Sequence, residues 1–289
     1  MQMVGQSPWT PASTPEISLV IPVHDEAENL PLLAVEIRAA LSPTGRSYEV
    51  LWVDDGSTDG SLAVLRHLAS QDPRMRVLHL ARNAGQSAAL AAGFRSARGE
   101  VVVTLDADLQ NDPADIPRLL AELAAPPGWD LVLGVRTHRR DDWLRRLSSR
   151  IANRVRNWAT DERVEDVGCS LRAGRAEYVK RVPMFAGMHR FLPTLVRLDG
   201  GRITELPVHH RPRLHGKTKY SIRNRLFRAL ADLFAVRWMQ RRWIDRRLAV
   251  EITDWTSSTS GSSSASSANL SSLAASSSSG SPPSDRRRA

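Results

Sequence analysis

Three short runs of aliphatic, largely β-branched residues end in paired carboxylates. Ile17–Ile21 leads to Asp25-Glu26, Tyr48–Val53 to Asp54-Asp55, and Val101–Leu105 to Asp106-Ala107-Asp108. Between them the apolar spacing turns helical: Ala27–Leu41 puts Leu30, Leu33, Ile37 and Leu41 on one side, and Ser61–Leu68 and the Ala-rich Gln86–Ala97 repeat the pattern. Val77–Leu80, Ile116–Leu123 and Leu131–Val135 continue as strand, helix and strand. Strands alternating with helices predict an α/β fold, a mostly parallel sheet with helices on both faces. Parallel strands bring the turns after the first, second and fourth strands to one edge, where such sheets bind ligands. A single acidic turn is explained by helix capping. Three on one edge repel one another unless a cation or hydrogen-bond donors offset them.

The side chains available there are oxygens, with no Cys or His cluster beside them, which favours Mg2+ or Mn2+ over zinc. Asp106 and Asp108, two residues apart, are the candidate metal ligands, with Gln110 two further on as a third oxygen. Such an ion keeps open positions for substrate phosphates, so the edge reads as a site for a metal-bound diphosphate.

Other nucleotide and metal motifs are missing. No G-x-G-x-x-G follows a strand, and Gly216-Lys217-Thr218 lacks the P-loop glycine at position 211, which is Arg211. His209, His210 and His215 fit no zinc spacing and read as residues flanking a strand.

Charge is unevenly spread. The net charge is +9, yet residues 1–136 carry 10 Lys+Arg against 17 Asp+Glu, and residues 137–247 carry 27 against 11. An acidic first part suits a metal site and a basic second part suits a polyanion. The pI of about 10.7 raises nucleic-acid binding as an alternative, against which the acidic sheet edge argues. The single Cys169 excludes an internal disulfide and suits a reducing compartment. The first sixteen residues lack the pattern of a secretory signal and read as a flexible N-terminus, and no run approaches the ~20 apolar residues of a membrane span. The expected location is cytoplasmic.

ISLVIPVHDEAENL, VLWVDDGSTDG, ARNAGQSAALAAGF, VVVTLDADLQNDP and DVGCSLRA, in this order, resemble family 2 glycosyltransferases of the GT-A fold, and among them the polyprenyl-phosphate sugar synthases. The resemblance covers residues 17–220. It implies a UDP- or GDP-sugar donor held by Pro22, His24, Glu26, Asp54, Asp55, Arg82 and Asp106, with His24 and Asp25 standing where the family usually has Tyr and Asn. It assigns the metal to Asp106, Asp108 and Gln110. It makes Arg136 a phosphate-facing group and places Asp166, Ser170 and Arg172 in an acceptor-side motif. It puts Arg211, Lys217 and Lys219 on a basic loop closing over the diphosphate, and gives Asp108, Asp166 and Arg136 the catalytic roles.

The implied acceptor is a polyprenyl phosphate, whose oxygen is already ionised and needs no strong general base; a sugar hydroxyl would need a carboxylate such as Asp166 to take its proton. A soluble glycosyltransferase acting on a polysaccharide or small-molecule hydroxyl is the alternative, and a nucleotidyltransferase releasing pyrophosphate a weaker one. Residues 221–250 read as a basic amphipathic helix. Arg225, Arg228 and Asp232 lie on one side and Leu226, Phe227, Leu230, Leu233 and Phe234 on the other. That helix either docks on the core or lies on an anionic membrane surface as a peripheral anchor. Residues 251–289 are Ser-rich and expected to be disordered.

Overall fold

The computed structural model describes residues 14–136, 164–212 and 223–244, with the side chains of 223–230 excepted. Seven strands form one sheet: β1 (Ile17–Val23), β2 (Tyr48–Asp54), β3 (Met75–His79), β4 (Val101–Thr104), β5 (Leu131–Arg136), β6 (Arg172–Arg175) and β7 (Ile203–Val208). Their order is β3-β2-β1-β4-β6-β5-β7. Every pairing is parallel except those of β6, which runs antiparallel to both β4 and β5. The helices are α1 (Leu30–Leu41), α2 (Ser61–Gln71), α3 (Gln86–Ser96), α4 (Ile116–Ala124), α5 (Ala176–Arg181), α6 (Leu192–Leu198) and α7 (Arg223–Arg242).

The period-two alternation of the central strands divides the core. Leu19, Ile21, Val50 and Trp52 pack with Leu30, Leu33 and Ile37 of α1 and Leu119 and Leu120 of α4. Val20, Leu51 and Val53 face the other way, onto Ala89 and Phe94 of α3. Helix α3 lies close against β1: a Cβ at Gly93 would come within 2.2 Å of Val20 Cγ1.

Two details differ from the sequence reading. Helix α1 begins at Leu30, not Ala27, because Asn29 donates its amide to Glu26 Oε2 at 2.6 Å and Pro31 occupies the first turn. Strand β6 was not expected at all. Its four residues, Arg-Ala-Gly-Arg, carry no apolar alternation, and they form a strand because β4 and β5 bond them from both sides.

Candidate active site

Strands β1, β2 and β4 end on the same edge, so the three acidic turns converge as expected. Main-chain and hydroxyl donors knit the first two together. Asp25 Oδ1 accepts from Thr58 N (2.7 Å), and the Asp25 N–H donates to Ser57 Oγ (3.0 Å). Glu26 N donates to Ser61 Oγ (2.9 Å). Asp55 takes the N–H groups of Ala84 and Gly85 on its two oxygens, at 2.7 and 2.8 Å, and so fastens the loop between β3 and α3. Gly56, at φ +63°, is required there because a Cβ would lie 2.5 Å from the backbone of Arg82 and Asn83. Asp54 is fully buried, accepting from Ser57 N (3.3 Å) and facing His79 Nδ1 at 2.7 Å. His79 was not singled out in the sequence, because a lone histidine at a strand end carries no pattern.

On the rim of this part of the edge, His24 Nε2 meets Asn83 Nδ2 at 2.8 Å, and Arg82 is exposed beside them. Pro22 falls where β1 has outrun β4, whose last paired residue, Thr104, lies opposite Val20. A residue without an N–H fits at such an open strand side.

The third acidic turn is built differently. Asp106 is half-buried; Asp108 is buried. Leu109 follows at φ +60°, a left-handed conformation costing roughly 1–2 kcal/mol for a non-glycine residue, so the backbone is held in place against its preference. Asp106 accepts from Gln86 Nε2 at 2.8 Å and from the Ser170 hydroxyl. Burial, and then the charge of Asp108, push the Asp106 carboxyl up to about 6, with Arg172 and Arg136 pulling the other way. Here the repulsion is only partly offset, which is the condition a divalent cation relieves. Among the described residues no group of three or more His, Cys, Asp or Glu side chains surrounds one point. Two carboxylates with open positions beside them suit a hard ion that completes its shell with phosphate oxygens. Gln110 contributes through its backbone: its N–H donates to Asp108 Oδ1 (3.2 Å) and its carbonyl accepts from Arg211 N (2.7 Å).

The DVGCSLRA stretch lies against this turn. Ser170 accepts from Asn111 Nδ2 at 2.8 Å while serving Asp106. Arg136 and Asp166 form a two-point ion pair, Nε–Oδ2 2.6 Å and Nη2–Oδ1 2.8 Å, with both side chains largely buried. Arg172, expected to meet the acceptor, instead spends its guanidinium on the main-chain carbonyls of Val167, Cys169 and His189 at 2.7–2.9 Å. It is a buried brace whose charge acts on Asp106 through space, and burial lowers its own pKa. Arg211, expected over the diphosphate, pairs with Glu36 (2.7 Å) of α1 and with Asp112 (2.6 Å). Together with the Asn111–His210 bridge it fastens the end of β7 to the turn that carries Asp106 and Asp108. Lys217 and Lys219 lie outside the described residues. Gln86 stands in the ARNAGQSAAL stretch that opens α3, where a lone glutamine carries no pattern of its own.

Comparison with known proteins identifies the family. The family described as glycosyl transferase family 2 matches residues 18–182. A dodecaprenyl-phosphate galacturonate synthase from Rhizobium johnstonii is 39% identical over 235 residues, 80% of this chain and 69% of the relative. An undecaprenyl-phosphate 4-deoxy-4-formamido-L-arabinose transferase from Edwardsiella ictaluri is 42% identical over 208 residues, 71% of this chain and 63% of the relative. This chain therefore spans less than two thirds of the second relative's length. Glucosyl-3-phosphoglycerate synthase from Mycobacterium tuberculosis, solved with Mn2+, uridine diphosphate and phosphoglyceric acid, shares the fold. Its TM-score is 0.59 at 20% identity, over 80% of each chain. The family match takes in Asp106, Asp108, Arg136, Asp166 and Ser170 and covers more than half of the sequence; on that ground this chain belongs to glycosyltransferase family 2.

Proposed function

We propose that this glycosyltransferase moves a sugar from a nucleoside-diphosphate donor, a UDP- or GDP-sugar, onto a polyprenyl phosphate, inverting the anomeric carbon. The observation that carries the reading is the Arg136–Asp166 pair. A hydroxyl acceptor needs a carboxylate to take its proton, and Asp166 is the candidate from the acceptor-side motif. Both its oxygens accept from the Arg136 guanidinium, so the lone pairs that a base would use are already engaged. A phosphate oxygen arrives ionised and makes no such demand. The two polyprenyl-phosphate relatives support the same acceptor class.

Donor and acceptor are both anions, and negative charge grows on the leaving diphosphate. Asp106 and Asp108, with Gln110 beside them, would hold a divalent ion, Mg2+ or Mn2+, which would supply Lewis-acid neutralisation of that charge. The chain's own groups do the rest. Gln86 and Ser170 orient Asp106, Arg136 and the buried Arg172 supply positive potential, and the rim formed by Pro22, His24, Glu26, Asp55 and Arg82 receives the nucleoside. The acceptor lipid implies work at an anionic membrane surface. Among the described residues no helix is long and apolar enough to cross a membrane.

The test is a panel of radiolabelled nucleotide sugars incubated with purified protein, Mn2+ and a short prenyl phosphate. The expected result is label in the organic phase with release of a nucleoside diphosphate. Release of pyrophosphate would indicate nucleotidyl transfer, and water-soluble product alone would favour a hydroxyl acceptor.

A further inference from the structure

Helix α7 presents two unlike sides. On one, Val236 is fully buried and Leu233 nearly so, within the cluster that contains Met188 and Phe191. Asp232 lies on the same side, pairing with Arg190 Nη2 at 3.0 Å, and a Cβ on Gly187 would come within 2.5 Å of its carboxylate. Through these residues the helix docks on the core. Leu233 and Phe234, grouped on one side in the sequence reading, part company: Phe234 is 74% exposed. Trp238 follows one turn later at 64%, and Ile244 beyond the helix end at 79%.

Arg237, Arg241 and Arg242 flank these three side chains. Between Arg223 and Ile244 the sole carboxylate is Asp232, and it is turned inward to Arg190. Among the described residues, the outward side therefore combines large apolar groups with guanidinium groups for which Asp232, turned inward, is no partner. Aromatic rings that prefer the headgroup boundary, beside arginines that bind phosphate oxygens in a two-point fork, make up the composition of an interfacial helix.

The segment under α7 leads straight to the site. Gly187 N donates to Ser87 Oγ (2.9 Å), Ser87 Oγ meets His189 Nδ1 (2.7 Å), and the His189 carbonyl accepts from Arg172 (2.7 Å). Next to Ser87 in the chain, Gln86 holds Asp106.

We infer that the outward side of α7, centred on Phe234 and Trp238 and rimmed by Arg237, Arg241 and Arg242, is the seat of an anionic lipid bilayer. The Asp232–Arg190 pair fixes its rotation, one packing layer from the acceptor side of the active site. The inference rests on the lipid-phosphate reading for its choice of occupant, since an acceptor that stays in the bilayer must be met there. Charge decides between lipid and a second copy of this chain: two copies of this side would bring their arginines together.

The experiment sediments the full chain with vesicles of phosphatidylcholine alone and with one third phosphatidylglycerol. Wild type should pellet with the anionic vesicles and be released by high salt. Phe234→Ser/Trp238→Ser should lower the partition coefficient at least tenfold. Arg241→Gln/Arg242→Gln should remove the preference for anionic lipid. Both variants should keep the wild-type melting temperature, because the altered side chains are exposed, and both should remain monodisperse with wild-type hydrodynamic radius. Unchanged vesicle binding by the aromatic variant would overturn the inference. So would a wild type that ignores anionic vesicles, or an aromatic variant that dissociates from dimer to monomer. A wild type that binds vesicles through this side but transfers sugar to no prenyl phosphate would sink the acceptor reading and leave the lipid seat standing. Transfer to a short water-soluble prenyl phosphate without vesicle binding would do the reverse.

Discussion

Asp108 and Asp106 occupy one turn but have different surroundings, and their variants should differ accordingly. Asp108→Asn keeps shape and volume and removes the negative charge from the turn proposed to hold the metal-bound diphosphate. Its kcat/KM should fall by 10²-fold or more, about 3 kcal/mol, with little change in melting temperature; near-wild-type turnover would remove Asp108 from the mechanism. Asp106 carries a pH signature. Its carboxyl in the folded protein titrates at about 6, above the ~3.9 of an unfolded aspartate. At this carboxyl the folded state therefore holds more protons between those values, and the contribution of Asp106 to stability in the absence of metal falls as pH rises from about 4 to about 6. A divalent ion binds the ionised form and reverses the loss. Added Mn2+ should raise the melting temperature clearly at pH 7.5 and much less at pH 5. An equal rise at both would show that Asp106 does not face the ion.

At the scale of elements, α3 and β6 hold the site together, and they show what a sequence discloses. The strand–turn–helix rhythm made β1, β2, β4 and their acidic turns legible, because each is a regular apolar period broken by carboxylates. Strand β6 was hidden because its stability comes from neighbours, and the braces around Asp106 were hidden because Gln86, Ser170 and Arg172 belong to three separate segments that only tertiary packing joins. Arg172 and Arg211 were read as ligand-facing because an arginine's sequence position does not say what its five donors meet. Two substitutions test this packing. Gly93→Ala should destabilise the protein by roughly 1–3 kcal/mol, because the methyl group enters Val20; a neutral denaturation midpoint would show that α3 has room to move. Arg172→Met should lower the midpoint by about 3 kcal/mol or more, since three carbonyls lose their donor. An Arg172→Met variant that keeps its stability but raises only the acceptor KM would return Arg172 to the acceptor.

For the whole molecule, the charge distribution and the fold make one account. The acidic half supplies a sheet edge where three carboxylate turns converge, and in the third the burial of Asp106 and the charge of Asp108 raise the Asp106 carboxyl. The basic half supplies arginines to the same edge and to the outer side of α7. The central claim is that the acceptor reacts as an anion that needs no proton removed. The most direct measurement gives the purified full chain equal concentrations of a prenyl phosphate and the matching prenol, with the donor that the panel selects and Mn2+, and reads products by mass spectrometry. The account predicts glycosylated prenyl phosphate, with no glycosylated prenol. Sugar on the alcohol at a comparable rate would contradict it, and would mean that a base, with Asp166 the first candidate, takes the acceptor's proton.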